Sequence, residues 1–151
     1  SMAVGMSYAE KIKGKDSTIY TVLSDGEVQE GSTWEAVLMA TTFNTTNLVA
    51  FIDYNDFQSL GRTSETHPTF YPLTDKFIAF GWESVEVNGH NAEEVCSAVQ
   101  HRKGDRPLMI VCKTIKGRGV SYMESVPIWH YRAPNEEEYE QAINELKEIS
   151  S

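Results

Sequence analysis

The strongest constraint on the fold is the near-continuous apolar run at residues 48–53, Leu-Val-Ala-Phe-Ile-Asp. Runs of this kind are typical of central strands in a parallel sheet, which are buried on both faces. Segments with strand and helix patterns alternate along the chain, which indicates an α/β domain with a mostly parallel sheet. The predicted strands are 18–23, 48–53, 84–87 and 108–113, and the predicted helices are 3–13, 31–43, 75–80, 92–100 and 136–148.

Two polar turns follow the first two predicted strands: Ser-Asp-Gly at 24–26 and Asp-Tyr-Asn at 53–55. In open parallel sheets ligands bind beyond the carboxyl ends of the strands, so Asp25 and Asn55 are expected at the same edge. Their oxygens, with a backbone carbonyl just after Asn55, are hard ligands that suit Mg²⁺. Gly26 lets the backbone approach a phosphate closely, and the next helix N-terminus adds a favourable dipole. The sequence therefore predicts a magnesium–diphosphate site.

Composition narrows the class of protein. The 151 residues are 40% hydrophobic, which is enough for one core in one domain. The net charge of −9 argues against nucleic acid or an anionic membrane surface as a partner. No apolar run is long enough to span a bilayer. Cys96 and Cys112 lack metal-type spacing, so we expect both to be core thiols in a reducing cytoplasm.

The two turns belong to longer stretches that carry a resemblance to a known family. SDGEVQEGSTWEA, beginning at Ser24, and NLVAFIDYNDFQSLGR, beginning at Asn47, resemble the diphosphate-binding domain of transketolase and its thiamine diphosphate-dependent relatives. VNGHNAEEV, KTIKGRGVSYMES and WHYRAPNEEEYEQA extend the resemblance over nearly the whole chain. It implies the thiamin diphosphate-binding fold, a three-layer α/β/α domain over residues 3–149 with helices on both faces of the sheet. Residues 1–2 are expected to be an expression remnant.

The resemblance implies a cofactor and the residues that hold it. Mg²⁺ would be bound by the Asp25 carboxylate, the Asn55 amide oxygen and the Phe57 main-chain carbonyl. Thiamine diphosphate would be bound beside the same residues, with the Gly26 N–H donating to the diphosphate. The remaining residues expected at the cofactor are Ser24, Glu27 and His130.

The resemblance also implies catalytic roles. Glu30 and Glu35 match glutamates that link paired active sites across a subunit interface, although residue type alone suggests a solvated helix face. His130 matches a histidine near the diphosphate and the substrate entrance, and its aromatic neighbours equally suit a stacked structural histidine. The segment Lys-Gly-Arg-Gly at 116–119 is either a flexible basic turn or a contact to a sugar phosphate.

The remaining histidines have weaker claims to a site. His67 lies in the long loop at 55–75 and could approach the cofactor, whereas His90 suits a turn and capping role and His101 a solvated one. Two positions depart from the family pattern. Ser24 and Tyr131 stand where the family usually has glycine, and the bulk of Tyr131 could narrow substrate access.

The implied reaction transfers a two-carbon ketol unit between sugar phosphates. We expect the chain to be either an excised or truncated domain or a naturally minimal subunit. In both cases we expect a partner chain carrying the pyrimidine-binding domain, because the sequence has no domain of that length. A homodimer is also expected, with Val28, Trp34 and Leu38 on an exposed apolar face. Two alternatives stay open: a related enzyme, such as a deoxyxylulose phosphate synthase or an oxo-acid dehydrogenase component, and a non-catalytic module for cofactor binding or assembly.

Overall fold

The computed structural model describes residues 1–59 and 61–149. Its strands are β1 (Ile19–Ser24), β2 (Leu48–Tyr54), β3 (Phe57–Gln58), β4 (Gly61–Arg62), β5 (Glu83–Asn88) and β6 (Leu108–Lys113). Its α-helices are α1 (Met2–Ile12), α2 (Gly31–Thr42), α3 (Thr63–Thr66), α4 (Leu73–Ala79), α5 (Ala92–Gln100) and α6 (Glu136–Ile149). Short 3₁₀ helices lie at Glu27–Gln29, Pro68–Phe70 and Pro127–His130.

Four strands form a parallel sheet in the order β1-β2-β6-β5. The central strands β2 and β6 are the two near-continuous apolar runs, because both of their faces are covered by the rest of the domain. The register pairs Ser24 with Asp53 and Tyr54 with Lys113. The carboxyl ends of β1, β2 and β6 therefore meet at one edge of the sheet, as the sequence predicts.

Helices pack on both faces of the sheet. The first face packs against α1, α2 and α4, with Ala50 and Met109 of the sheet in one core with Val37 and Phe77 of the helices. The second face is covered by α5 over β5 and β6, where Ile110 lies in a smaller core. This arrangement confirms the predicted three-layer α/β/α fold.

The predicted loop at 55–75 is wrong in part, because it contains β3, β4, α3 and one 3₁₀ helix and includes the start of α4. Elements of two to four residues are too short to show a periodic pattern in the sequence. The other predicted helices and strands agree with the structure to within two residues at each end. The segment that was predicted to be irregular is therefore a closed, hydrogen-bonded loop beside the end of β2.

Three predictions of burial are wrong. Cys96 is exposed on α5, and only Cys112, on β6, is a buried thiol. Val28 is fully buried instead of lying on an exposed apolar face. Trp34 is half-buried against Phe77, with its ring centroid 5.1 Å away, and donates from Nε1 to the Val28 carbonyl at 2.8 Å. Of that predicted face, Leu38 is exposed, by 53%.

Among the helices of residues 1–59 and 61–149, none is both long and apolar enough to cross a bilayer.

Candidate functional site

A cleft of about 430 Å³ opens at the carboxyl edge of the sheet. Ligands of open α/β sheets bind at this edge, because the connecting loops diverge there. Most of the predicted site residues contribute to the cleft wall, although they come from three separate segments of the chain. The lining residues are Ser24, Gly26, Glu27, Glu30, Asp53, Asn55, Phe57, Gln58, Ser59, Lys116 and His130.

Asp25 lies below this wall and is fully buried. Its Oδ2 accepts a hydrogen bond from the Asp56 N–H at 2.8 Å, and the Thr63 hydroxyl lies 3.5 Å from the same oxygen. Its Oδ1 is buried and has no hydrogen-bond partner in the described part of the chain. Buried polar atoms are rarely left unpaired in native proteins, so this oxygen marks a place where a ligand is expected.

The electrostatic surroundings of Asp25 also favour a ligand beside its carboxyl group. Desolvation by burial, with a smaller contribution from the negative charges of Asp53 and Asp56, raises the pKa of the carboxyl from 3.8 to about 6. The hydrogen bond from the Asp56 N–H and the nearby backbone N–H of Gly26 oppose this rise only in part. A buried carboxylate surrounded by other carboxylates favours either a proton or a cation beside it.

Asn55 is oriented by its neighbours at the end of β2. Its Nδ2 donates to Asp53 Oδ2 at 3.0 Å, and its Oδ1 accepts from the Phe57 N–H at 2.9 Å. The other oxygen of Asp53 accepts from the Thr114 hydroxyl on the neighbouring chain segment. An amide oxygen has two lone pairs, so Oδ1 retains one for a cation. The amide is therefore held with its oxygen on the Phe57 side.

Asp56 closes the loop that follows β2, a role that the sequence does not reveal. Its carboxylate accepts from the Ser64 N–H at 2.8 Å, the Ser64 hydroxyl at 2.9 Å, the Thr63 hydroxyl at 3.0 Å and the Arg62 guanidinium at 3.2 Å. Burial alone would raise the pKa of Asp56, but these hydrogen bonds outweigh it and lower the pKa. The Tyr71 hydroxyl donates to Thr63 from the far end of the loop. Asp56 thus holds residues 62–64 against Asp25.

Ser24 fits where the family usually has glycine because its hydroxyl and its N–H both pair with Glu27, the first residue of the 3₁₀ helix at 27–29. Its hydroxyl accepts from the Glu27 N–H at 3.1 Å, and Glu27 Oε2 accepts from the Ser24 N–H at 2.8 Å. Gly26 is the N-cap residue of that short helix, so this reciprocal pair stabilises the turn before it. Gly26 has an ordinary φ of −65°. A Cβ at Gly26 would lie 3.4 Å from the Gln58 Cβ, so the absence of a side chain keeps this part of the cleft open.

His130 lines the opposite wall, at the end of the last 3₁₀ helix. It contacts Tyr131 edge-on, with ring centroids 4.9 Å apart, and it is exposed to the cleft. Trp129 instead packs against Tyr122 and donates from Nε1 to its carbonyl at 2.9 Å. Lys116, which sequence reasoning leaves undecided, also lines the cleft and brings a positive charge to it.

The two predicted interface glutamates separate in the structure. Glu30 lines the cleft, whereas Glu35 lines a groove of about 360 Å³ between α1 and α2, together with Val4 and Phe43. Both side chains are exposed. The single chain thus brings one of the two glutamates, Glu30, to the cleft at the carboxyl edge of the sheet.

The other histidines lie outside the cleft. His90 Nε2 accepts from the Ile115 N–H at 2.8 Å, so this histidine supports the segment after β6. His101 is exposed, and its Nδ1 lies 2.9 Å from the Ser97 carbonyl. His67 Nδ1 lies 3.2 Å from the hydroxyl of its neighbour Thr66. None of the three is among the lining residues.

The donor set limits the kind of metal that could bind. Within residues 1–59 and 61–149, no cluster of three or more His, Cys, Asp or Glu side chains could hold a metal ion. A cation at Asp25 would therefore have at most one further side chain of these types as a ligand, and amide and carbonyl oxygens could supply the rest. Such all-oxygen surroundings with few carboxylates suit Mg²⁺ bound together with phosphate oxygens.

The chain is similar to known proteins in both sequence and fold. The chain is 42% identical over 149 residues to a 6-deoxy-6-sulfo-D-fructose transketolase subunit of Clostridium sp. (strain MSTE9), covering 97% of this chain and 54% of that protein. It is 37% identical over 150 residues to an apulose-4-phosphate transketolase subunit of Phocaeicola vulgatus, covering 98% of this chain and 53% of that protein. The chain therefore spans about half the length of these two relatives.

Solved structures and the family comparison agree with these relatives. The crystal structure of transketolase from Campylobacter jejuni superposes with a TM-score of 0.85 at 28% identity, covering 96% of this chain and 24% of that one. The family described as "Transketolase, thiamine diphosphate binding domain" matches residues 3–147. The turns at Asp25 and Asn55, the cleft between them and these matches lead to one conclusion: the chain belongs to the thiamine diphosphate-binding domain family of transketolases.

Proposed function

We propose that the cleft binds Mg²⁺ and thiamine diphosphate, and that the chain acts as the diphosphate-binding part of a transketolase-like enzyme. The observation that carries the proposal is the unpartnered Asp25 Oδ1, buried next to the turn that presents Asn55. A divalent cation there would supply the missing partner, and its positive charge would oppose the rise in the pKa of Asp25 that burial causes.

Three oxygens of the chain would hold the metal. They are Asp25 Oδ1, Asn55 Oδ1 and the Phe57 carbonyl. The Asp56 N–H bond to Asp25 and the Phe57 N–H bond to Asn55 keep these residues together without occupying all of their lone pairs. Phosphate oxygens and water would complete the octahedral coordination that Mg²⁺ requires.

The diphosphate would lie between the Gly26 backbone and Lys116, the positively charged side chain among the described lining residues. An acidic chain needs such local positive charge, together with the metal, to bind an anionic cofactor. When bound, thiamine diphosphate supplies the nucleophilic carbon and the electron sink of the reaction. His130, exposed on the opposite wall, would donate a hydrogen bond or carry a proton at the substrate oxygens.

The names of the relatives support a substrate class for the proposed enzyme. Their names specify 6-deoxy-6-sulfo-D-fructose and apulose-4-phosphate, which are sugars with an anionic group. We infer that this chain takes part in the transfer of a two-carbon ketol unit between sugar phosphates or similarly charged sugars. Lys116 and His130 are the described residues of the cleft that suit such an anionic substrate.

A partner chain is part of the proposal. The two relatives are called subunits, and this chain spans about half of each. The aminopyrimidine end of the cofactor would be bound by a pyrimidine-binding domain on that partner. Glu30 at the cleft, Glu35 in the neighbouring groove and the exposed Leu38 would lie at an interface with the partner or with a second copy of the chain.

Titration calorimetry with Mg²⁺ and thiamine diphosphate tests the site. The chain is measured alone and together with a co-expressed pyrimidine-binding subunit, and the variant Asp25→Ala is compared with Asp105→Ala at an exposed position. We expect Asp25→Ala to weaken cofactor binding at least about 100-fold, because a coordinating carboxylate is lost, and Asp105→Ala to bind normally. If wild type and Asp25→Ala gave the same isotherm in both settings, the metal site would be wrong.

Ketol transfer is measured on the assembled complex. Release of an aldose product from a ketose phosphate, dependent on both chains, would support the transketolase-like reaction. Cofactor binding without transfer in the complex would instead favour a non-catalytic binding module or a related thiamine diphosphate enzyme.

A further inference from the structure

The cleft has two walls that are distant in the chain. One is the segment 57–59, which carries the Phe57 carbonyl, and the other is the segment 127–131, which carries His130. Tyr131 joins them: its hydroxyl donates to the Ser59 carbonyl at 2.7 Å, across 72 residues of sequence. This hydrogen bond connects residues 55–59 (the metal loop), which carry the proposed ligands Asn55 and Phe57, to the wall that presents the histidine.

Burial does not explain the position of Tyr131. Its side chain is 67% exposed, so it contributes little to the hydrophobic core. It nevertheless contacts both walls, by the hydrogen bond to Ser59 and by the edge-on contact of its ring with His130 at 4.9 Å. An exposed tyrosine held at both its ring and its hydroxyl has lost rotamer freedom, which indicates that these contacts define its place.

The backbone beside Tyr131 is anchored separately. Arg132 forms an ion pair with Glu138 at the start of α6, and its guanidinium lies 4.6 Å from the centre of the Trp129 ring. The Tyr131 N–H donates to the Ile128 carbonyl at 3.1 Å. Because the chain on both sides of Tyr131 is held in this way, its side chain reaches Ser59 from a fixed base.

We propose that Tyr131 is a positioning residue that ties the His130 wall to the metal loop and sets where the His130 imidazole lies over the cleft. The catalytic importance of the His130 position rests on the proposed function, whereas the hydrogen bond between Tyr131 and Ser59 does not depend on it. Ser59 takes part through its backbone carbonyl and lies two residues after Phe57, so the link reaches the metal loop directly. Glycine at this position could make neither contact.

The variant Tyr131→Phe keeps the ring and removes the hydroxyl. Tyr139→Phe is the matched control, because Tyr139 is 57% exposed on α6 and lies outside the cleft lining. Hydrogen exchange of the full chain, without metal or cofactor, should be about fivefold faster in Tyr131→Phe at both 57–59 and 127–131, since one hydrogen bond is lost. Strands β2 and β6 should be unchanged, and Tyr139→Phe should match wild type.

The NMR signal of the His130 ring provides a readout that a purely structural role would not move. In wild type the edge-on Tyr131 ring should shift the His130 Cε1 proton. In Tyr131→Phe the freed ring should average that shift towards the value of an exposed histidine. The proposal is overturned if exchange at 57–59 is unchanged in Tyr131→Phe, or if the His130 signal is the same in both proteins.

Failure of this link and failure of the proposed function are distinguishable. Both readouts above are taken without ligand, so they stand even if the chain binds no thiamine diphosphate. If wild type with its partner subunit binds thiamine diphosphate, Tyr131→Phe should lower kcat by about fivefold, because the position of His130 is no longer fixed. The Kd of the cofactor should be unchanged, because the metal ligands are intact. A higher Kd for the cofactor with an unaltered kcat would overturn the proposal that Tyr131 positions His130.

Discussion

The two sides of the cleft are built differently. The buried side consists of Asp25 and the loop closed by Asp56, where nearly every polar atom is paired inside the protein. The exposed side consists of Lys116, His130 and Tyr131, held by surface contacts. One unpaired atom on the buried side, Asp25 Oδ1, therefore has a large energetic effect, whereas changes on the exposed side act mainly on geometry.

The largest expected effect is at Asp25. Its pKa of about 6 lies above the unfolded value of 3.8, so the folded chain holds this proton more tightly. Stability from this group is fully present below about pH 4 and is lost as pH rises through 6. Asp25→Asn removes that dependence and should raise the unfolding free energy relative to wild type, by on the order of 3 kcal/mol above about pH 7.

Urea unfolding of both proteins without metal, from about pH 4 to about pH 8, measures this difference. Asp16→Asn, at an exposed position, should follow wild type throughout. Mg²⁺ should reverse the order above about pH 7, because it stabilises only the carboxylate. If the Asp25→Asn variant were less stable than wild type at every pH, the Asp25 carboxylate would not be destabilised by burial.

The next effect is at Asp56, which tests whether the buried side depends on its closed loop. Asp56→Asn keeps a residue tolerant of the positive φ of 67° but removes the charge that accepts from Ser64, Thr63 and Arg62. We expect a loss of about 2 kcal/mol in unfolding free energy. Urea denaturation measures it, again beside Asp16→Asn. An unchanged midpoint would mean that the loop is held by Tyr71 and its neighbours instead.

A smaller effect is expected at Ser24, which borders both sides of the cleft. Ser24→Ala removes the hydroxyl that accepts from the Glu27 N–H, and loss of one such hydrogen bond costs about 1 kcal/mol. The melting temperature should fall by a few degrees, whereas Ser32→Ala, at an exposed position of α2, should leave it unchanged. Equal melting temperatures for the two variants would show that the hydrogen bond to Glu27 does not explain serine at this position.

The smallest effect is expected from chemical labelling of the two cysteines, which compares a buried thiol with an exposed one. Burial raises the pKa of the Cys112 thiol, and Asp53 nearby raises it further, so its reactive thiolate is scarce. Cys96 is exposed on α5. A thiol reagent should label one site rapidly in the folded chain and the second only on unfolding. Cys96→Ser should abolish the rapid phase, and two equal rates in wild type would contradict the assigned burial.

Much of the fold and part of the site could be predicted because they depend on local pattern. The near-continuous run at β2 identifies a central strand, and the turns at Asp25 and Asn55 follow consecutive strands, so their convergence at one edge follows from parallel pairing. The closed loop after Asn55 could not be predicted, because its elements are too short for periodicity and its hydrogen bonds join residues by side-chain reach.

The sequence also did not predict correctly which side chains on the helices are buried. Cys96 and Trp34 both lie on helical segments with apolar neighbours in sequence. Which side of each helix meets the core depends on the neighbouring elements: α5 turns Cys96 to solvent, whereas the aromatic side chains of residues 70–80 cover Trp34. Amphipathic pattern restricts these choices but does not decide them.

By itself the sequence determined an α/β chain with a carboxylate and an amide at adjacent strand ends, because strand length, apolar runs and turn residues are local properties. Only the tertiary structure decided that Asp25 is buried with one open oxygen, that Asp56 closes the loop over it, and that Tyr131 reaches Ser59. These features depend on contacts between residues far apart in the chain, where packing and desolvation act, and no local pattern records them.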